Sequence, residues 1–266
     1  MDYGVLYSLT DTEVLVNATP VGMYPSEDAM PADPARFPAL KGALDLVYNP
    51  LRTLFVQAAR SLGVPAAGGL YMLAAQGSAA NAVFTDREED TGELERVFST
   101  LTRQKENLVL CGMPGSGKST IGKMLAEKLS MPYIDTDEKI VEKAEMPIPE
   151  IFSRRGEKAF RDLEADVIRE AARRSGQVIS TGGGAVLREE NRLRMRMNGR
   201  VFLIRRPAEA LATAGRPLSR DLAALRAMEK ERAPLYTLAA DAAMDNLTSP
   251  DDAVRAILED LKCVSL

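Results

Sequence analysis

Apolar positions along this chain change rhythm repeatedly, and the changes mark alternating strands and helices. Short apolar runs read as strands at residues 107–111, 133–134, 178–180, 201–204 and 242–244. Between them, apolar residues fall at helical spacing over 121–129, 157–174 and 250–261. Short apolar strands alternating with helices predict a buried parallel sheet covered on both faces, an α/β fold. The first part of the chain repeats the alternation on a smaller scale. A strand runs into a turn over 15–23 and another over 44–50, a helix follows at 54–62, and a glycine pair leads into an apolar run at 68–76.

Between the two regions, Arg87-Glu88-Glu89-Asp90-Thr91-Gly92-Glu93 carries no apolar face and reads as a linker. After it, Leu94, Val97, Phe98 and Leu101 return to helical spacing, which predicts a connecting helix up to Lys105. The expected division is 1–86, a linker with connecting helix at 87–106, and a second domain at 107–266. No internal repeat or low-complexity run interrupts it.

Composition narrows the function. A chain of 266 residues has room for two small domains, and at 45% hydrophobic it can bury a core. With 34 basic and 38 acidic residues, net −4, it offers no electrostatic reason to expect nucleic acid or a membrane surface as partner. The N-terminus lacks a basic stretch followed by a long apolar run, and no segment reaches transmembrane length, so a cytoplasmic protein is expected. Two cysteines, Cys111 and Cys263, are too few for a disulfide framework or a thiolate metal cluster. Histidine is absent, which excludes Ser-His-Asp and Cys-His catalysis and histidine-ligated zinc. Any general base must be a carboxylate, a lysine, a tyrosine or a water.

One motif carries direct chemistry. Gly112-Met-Pro-Gly115-Ser116-Gly117-Lys118-Ser119-Thr120 matches G-x-x-x-x-G-K-[ST] and sits between a predicted strand and a predicted helix. Its glycines let the backbone wrap phosphate oxygens with inward N–H groups, and the helix start adds its positive dipole end. Lys118 would bridge the terminal phosphates of ATP and the Ser119 hydroxyl would ligate Mg²⁺.

After the next strand comes Ile134-Asp135-Thr136-Asp137. Residues at the C-terminal end of a strand in an open α/β sheet line the ligand crevice. Two carboxylates one residue apart on an extended segment point the same way, one toward a metal and the other toward an acceptor hydroxyl. An acidic pair capping a helix at 138–143 accounts for the same residues. The two readings stand side by side at this point.

The region from Asn107 to about Leu261 as a whole resembles shikimate kinase. The resemblance rests on GMPGSGKSTIGKMLAEKL, YIDTDEKI, IFSRRGEKAFRDLEADVI, the ISTGGGAVL turn, the GRPL segment and KERAPLY, in that order. It implies a P-loop kinase fold with a five-stranded parallel sheet covered by helices, and ATP-dependent phosphorylation of the shikimate 3-hydroxyl. Gly115, Ser116, Gly117, Lys118, Ser119 and Thr120 would hold ATP, and Ser119 and Asp135 would serve Mg²⁺. Asp137 would bind ring hydroxyls and act as base, with Lys118 and Arg216 as its catalytic companions. Arg161 and Arg232 would grip the substrate carboxylate, which suits the planar guanidinium fork. Gly182, Gly183 and Gly184 would let the backbone approach the substrate ring, and Arg216 matches the arginine of the family's mobile lid. One departure bears on nucleotide contacts and, through them, on rate. Residues 208–216 read Ala-Glu-Ala-Leu-Ala-Thr-Ala-Gly-Arg, whereas related enzymes usually carry a further arginine or lysine near the start of this stretch.

The first region resembles the last portion of shikimate dehydrogenase, over about residues 14–84. Leu15-Val-Asn17-Ala-Thr19-Pro-Val-Gly22-Met23, Leu44-Asp-Leu-Val-Tyr48-Asn49-Pro50 and Gly68-Gly69-Leu-Tyr-Met72-Leu-Ala-Ala-Gln76 carry the likeness. It implies a small, partial Rossmann-like α/β segment in which Leu46 and Gly69 would touch the nicotinamide end of NADP, while Tyr48 and Gln76 would meet shikimate. No G-x-G-x-x-G lies in the first 106 residues, so the pyrophosphate site is missing. The family's catalytic lysine and aspartate belong to a substrate domain upstream of this portion. The segment is therefore expected to be a dehydrogenase remnant that binds no NADP, with an exposed sheet edge open to self-association. Rival readings are a kinase for another small polyol or acid such as gluconate, a non-catalytic nucleotide-binding scaffold, and a bifunctional dehydrogenase–kinase that draws its upstream parts from another chain. The paired arginines and triple glycine speak against gluconate.

Overall fold

The computed structural model describes residues 3–212 and 222–263, and the chain divides into two compact units, Met1–Lys105 and Glu106–Leu266. The first contains α1 (Tyr3–Leu6), β1 (Val14–Asn17), β2 (Gly42–Asp45), α2 (Leu54–Ser61), β3 (Ala66–Ala67), α3 (Leu70–Thr85) and α4 (Thr91–Lys105). Its strands form a parallel sheet in the order β1-β2-β3, with Val14 opposite Gly42 and Ala43 opposite Ala66. Strand alternation sends Leu15 and Ala43 to one face, where they pack with Phe37 and with Phe55 and Ala59 of α2. Val14, Val16 and Leu44 on the other face are exposed.

Buried polar bonds tie the strand ends together. Asp45 accepts from Asn17 at 2.9 Å, from the Val47 N–H at 3.0 Å and from the Thr53 hydroxyl at 2.5 Å. Thr53 in turn caps α2 by accepting from the Val56 N–H. At Gly69 the chain passes so close to the Leu46 carbonyl that any Cβ would collide with it. The connecting helix α4 begins at Thr91, inside the polar stretch read as linker, and its Phe98 meets Tyr71 of α3 edge-on at 5.2 Å between ring centroids.

The second unit runs β4 (Asn107–Cys111), α5 (Lys118–Leu129), β5 (Tyr133–Asp135), α6 (Thr136–Ala144), α7 (Ile148–Arg173) and β6 (Val178–Ser180). It continues with α8 (Glu189–Asn198), β7 (Gly199–Arg205), α9 (Ala208–Ala212), α10 (Leu222–Ala239), β8 (Ala242–Asp245) and α11 (Pro250–Cys263). The sheet is five-stranded and parallel in the order β5-β6-β4-β7-β8. Central β4 is buried along its whole length. Its Leu108 and Leu110 face Ile121 and Leu125 of α5 and Val254 and Ile257 of α11. Its Val109 and Cys111 face Ile168 of α7, Met195 of α8 and Tyr236 of α10. Both sides of the sheet are thus covered, as the run of apolar residues requires.

Helices α3, α8 and α10 add to those the spacing predicts, and the start of α7 differs from expectation. α7 starts at Ile148 rather than near residue 157, because Gly156 at φ 78° and ψ 170° breaks it into two segments. The break interrupts the periodicity and hides the first segment. In this order the chain leaves β4 toward β5 on one side and returns to β7 on the other. That places a topological switch at the C-terminal end of β4, where open α/β sheets bind their ligands.

Candidate active site

At the switch, the turn after β4 wraps into a loop that only glycine permits. Gly112, Gly115 and Gly117 have φ of 142°, 84° and 98°, and a Cβ on Gly112 would stand 2.5 Å from the Ile204 carbonyl of neighbouring β7. Lys118, buried at the start of α5, donates from Nζ to the Gly112 and Met113 carbonyls, both at 2.8 Å. The ammonium therefore braces the loop it would share with phosphate. Asn246, just beyond β8, donates to the Ser116 carbonyl at 2.8 Å and closes the loop from the far side.

A cleft of about 600 Å³ opens in front of this loop. Gly115, Gly117, Lys118, Ser119, Thr120, Asp135, Asp137 and Gly183 all line it. Ser116 within the loop is buried. Arg216 falls outside the described residues.

The acidic pair is placed differently from the extended segment expected of it. Asp135 ends β5 and α6 begins at Thr136, so Asp137 stands in the first turn of a helix. Asp135 divides its carboxylate: Oδ1 accepts from the Asp137 N–H at 3.0 Å and caps α6. Its Oδ2 accepts from Ser119 Oγ at 2.9 Å and from the Tyr133 hydroxyl at 3.1 Å. The capping reading and the cleft-facing reading describe two oxygens of one side chain. Burial, with help from the Asp135 charge, pushes the Tyr133 phenol up to about 12.

The triple glycine provides room for side chains. The Ala185 N–H closes a turn onto the Gly182 carbonyl at 3.1 Å, but no positive φ there calls for Gly182, Gly183 and Gly184. A Cβ on Gly182 would stand 2.5 Å from Asp137 Oδ1, and one on Gly183 would stand 2.6 Å from the Pro114 ring. A Cβ on Gly184 would collide with the Arg161 guanidinium. The turn after β6 thus lets backbone, carboxylate and guanidinium occupy one small volume. Thr136 accepts from the Gly182 N–H at 3.1 Å and holds the turn to α6.

Two arginines stand on either side of this turn. Arg161 of α7 bonds Glu164, one helical turn on, at 2.8 Å, and the Glu164 side chain is 1% exposed. Burial raises the Glu164 pKa, while the Arg161 charge opposes the rise and the nearby Asp137 adds to it. Arg232 of α10 donates to the Gly183 carbonyl at 3.1 Å, and the same carbonyl accepts from the Tyr236 hydroxyl at 2.6 Å. Chiefly through burial, the Tyr236 phenol is pushed up to about 12. Glu164, Tyr236 and Tyr133 sit inside strings quoted above without a role assigned to them, and Asn246 sits outside those strings. Only Glu164 left a signal, its i,i+3 spacing from Arg161 on a helix.

In the first unit, Leu46 presents its carbonyl to Gly69, Tyr48 is exposed with Lys105 Nζ 6.0 Å from its ring centre, and Gln76 is exposed on α3.

Comparison with known proteins bears on the second unit. The shikimate kinase family profile matches residues 114–262. A shikimate kinase of Symbiobacterium thermophilum is 40% identical over 167 residues, 59% of this chain and 96% of that protein. A solved structure of shikimate kinase from Acinetobacter baumannii in complex with shikimate is 33% identical. It covers 62% of this chain and 97% of its own, with a TM-score of 0.58. A crystal structure of a chorismate mutase/shikimate 5-dehydrogenase fusion protein from Clostridium acetobutylicum is 39% identical over 37% of this chain and 36% of its own, with a TM-score of 0.36.

Proposed function

The chain belongs to the shikimate kinase family, and we propose from the cleft in front of the phosphate loop that it transfers the γ-phosphoryl group of ATP to the 3-hydroxyl of shikimate. One observation carries the reading. Lys118, Ser119, Asp135 and Asp137 line a single cleft at the sheet's switch point, beside the turn that Arg161 and Arg232 flank.

The cleft suits Mg²⁺ held together with nucleotide. Among the described residues no group of three or more Asp, Glu, Cys or His side chains could cage a metal alone. Asp135 and Ser119 instead offer hard oxygen donors side by side, 2.9 Å apart, which fits an ion that keeps waters and takes the rest of its shell from phosphates. When bound, it would neutralise charge on the transferring group.

The chain's own groups do the rest. The loop N–H groups and Lys118 hold the phosphates, and Lys118 exchanges its carbonyl partners for phosphate oxygens as they arrive. Arg161 and Arg232 grip the substrate carboxylate: Glu164 fixes the first, and the Gly183 carbonyl fixes the second. Asp137, pressed against Gly182, receives the proton of the attacking hydroxyl on a carboxylate oxygen. Arg216 would add charge from the lid. Transfer of this kind depends on positioning and electrostatics, and no covalent intermediate is expected.

The first unit we assign as a dehydrogenase-like segment without hydride transfer or NADP binding. Its bare sheet face of Val14, Val16 and Leu44 favours self-association, which sedimentation at increasing concentration would detect. No helix among the described residues is long and apolar enough to cross a membrane, in keeping with a cytoplasmic setting. Measuring ADP release with shikimate, with gluconate and with neither acceptor tests the main reading. Release stimulated by shikimate alone is expected, and equal rates in all three arms would refute it.

A further inference from the structure

Two cationic side chains among the described residues line the cleft, Lys118 and Arg206. Lys118 is committed to the loop carbonyls. Arg206 lies one residue beyond β7, half-buried. Its neighbour Arg205 is exposed and clamps Asp245 with bonds of 2.8 and 3.1 Å. Arg206 has no ion pair or hydrogen bond among the described residues, and it stands where this cleft meets a neighbouring one that it also lines.

The charge balance gives this arginine a purpose. Three carboxylates line the cleft, Asp135, Asp137 and Glu138, against two cations, a balance of 2 − 3 = −1. A triphosphate brought into that space adds roughly four more negative charges, and close charge pairs set both affinity and arrival rate. Residues 207–215 contribute no cation, and their one charged residue, Glu209, is paired with Arg226 at 2.6 Å. A half-buried, unpaired guanidinium beside an anion-binding loop is suited to phosphate oxygens, which its fork meets in two-bond fashion.

We propose that Arg206 is a nucleotide-phosphate ligand, supplying from the end of β7 a positive charge that the stretch after it lacks. The proposal rests on the reading of this cleft as the ATP site, and the experiment separates the two. Calorimetric titration of the full chain with Mg·ADP tests the site, and the Arg206 variants test the residue. Arg206→Ala is expected to weaken Mg·ADP binding about tenfold, the usual scale for losing one charge-assisted contact. Arg206→Lys should retain most of the affinity and Arg206→Gln should behave like the alanine variant. The loss should shrink as salt is raised, since the attraction is partly screened. The Michaelis constant for shikimate and the affinity for shikimate 3-phosphate should stay within about twofold, because the acceptor site keeps its own arginines.

Wild-type chain that fails to bind Mg·ADP would overturn the site reading. Wild-type binding with all three variants within twofold of it would overturn the role of Arg206 alone. A selective loss of shikimate 3-phosphate binding would overturn it too, since the phosphate served would then be the product's. If the alanine variant melts early without ligand, the Lys–Gln pair decides: equal affinities in the two defeat the proposal, and a clear gap in favour of Lys supports it.

Discussion

The two units of this chain are built from the same material, parallel strands joined through helices, and they differ in how the sheet is finished. In Glu106–Leu266 five strands are covered on both faces, and β4 is buried throughout. In Met1–Lys105 three strands are covered on one face, and Val14 and Val16 stand 59% and 56% exposed on the other. Both units keep tight strand-end chemistry: Asp45 gathers Asn17, Val47 and Thr53 in one, while Asp135 gathers Ser119, Tyr133 and Asp137 in the other. Only in the second do those ends converge on a cleft carrying a phosphate loop. A parallel sheet can thus hold its turns without forming a phosphate cleft, which here takes neighbouring strands on both sides of the switch point.

The contrast is tested most strongly at Asp137. Asp137→Asn keeps the size of the side chain and removes the base. Turnover is expected to fall by roughly 10²-fold or more, with ATP affinity little changed. The matching change in the first unit, Tyr48→Phe, should leave kinase turnover within about twofold, since it touches neither substrate of the kinase. Steady-state rates of both variants check this, and near-normal turnover in Asp137→Asn would defeat the assignment.

Next in size are the two arginines. Replacing Arg161 or Arg232 by alanine takes one charge-assisted partner from the substrate carboxylate, a loss of about 2–4 kcal/mol. The Michaelis constant for shikimate should rise long before that for ATP. A parallel rise in both would point to disturbed folding, and for Arg161 that danger is real because Glu164 would be left buried and unpaired. Arg161→Lys, which keeps a charge beside Glu164, separates the cases: an early rise in the shikimate constant alone is expected from it as well.

How far these sites were legible in the amino-acid sequence follows the locality of the physics. The phosphate loop is a contiguous string whose glycines have positive φ in the fold, so each residue type announces its conformation. Strands β4 and β6 were visible because both their faces are buried and their apolar runs are unbroken, while the edge strands β5 and β8, only partly buried, showed as short apolar runs between helices. The first segment of α7 was hidden by Gly156, which stops the helical period without ending the element. The purpose of Gly182 and Gly184 was illegible for another reason. Their missing Cβ atoms make room for Asp137 and Arg161, residues far away in the chain. Asn246 and Arg206 lie outside any motif, and Tyr236 ends the KERAPLY string with nothing in it to show that its hydroxyl meets the Gly183 carbonyl; only the folded sheet brings all three to the loop. The two aspartates showed that a residue can satisfy competing readings at once, since Asp135 caps with one oxygen and faces Ser119 with the other.

Alkaline pH should distinguish the units by a smaller margin. Burial holds the Cys111 thiol up from 9.0 to about 12, and burial likewise lifts the Tyr133 and Tyr236 phenols from 10.0 to about 12. All three belong to the second unit. Each is an acid whose folded pKa lies above its unfolded one, so the unfolded state releases protons first. Their contribution to stability is fully present below about pH 9 and is lost as pH rises through 10 toward 12. In the first unit Tyr71 is raised mainly by the Glu95 charge, but it is exposed and solvent screens the effect. The melting temperature of the second unit should therefore drop by several degrees between pH 9 and 11, on the scale of about 2–4 °C per kcal/mol. Cys111→Ala should flatten the first part of that fall, and an unchanged slope in the variant would remove the thiol from the account.

The smallest expected effect is that of removing the first unit altogether. A fragment beginning at Gln104 keeps β4 whole, and every residue of the two core clusters flanking the five-stranded sheet lies at or beyond Leu108. Every residue lining the cleft lies at or beyond Pro114. Deletion therefore takes away no strand, no helix covering the sheet and no group proposed to touch substrate, and turnover should stay within about twofold of the full chain. The same reasoning predicts no shikimate-dependent NADPH formation by the 266-residue chain. Hydride transfer needs the nicotinamide held against its substrate, and the protein's share of that chemistry is the holding. Residues 1–105 offer no glycine-rich pyrophosphate turn, and three short strands leave one face of the sheet bare where a cofactor fold would be covered. Steady absorbance at 340 nm with NADP and shikimate, alongside a fully active fragment, is the expected pair of results. Measurable NADP reduction would show that the first unit completes its pocket by some other route. A fragment that folds yet cannot phosphorylate would show that the kinase borrows from it after all.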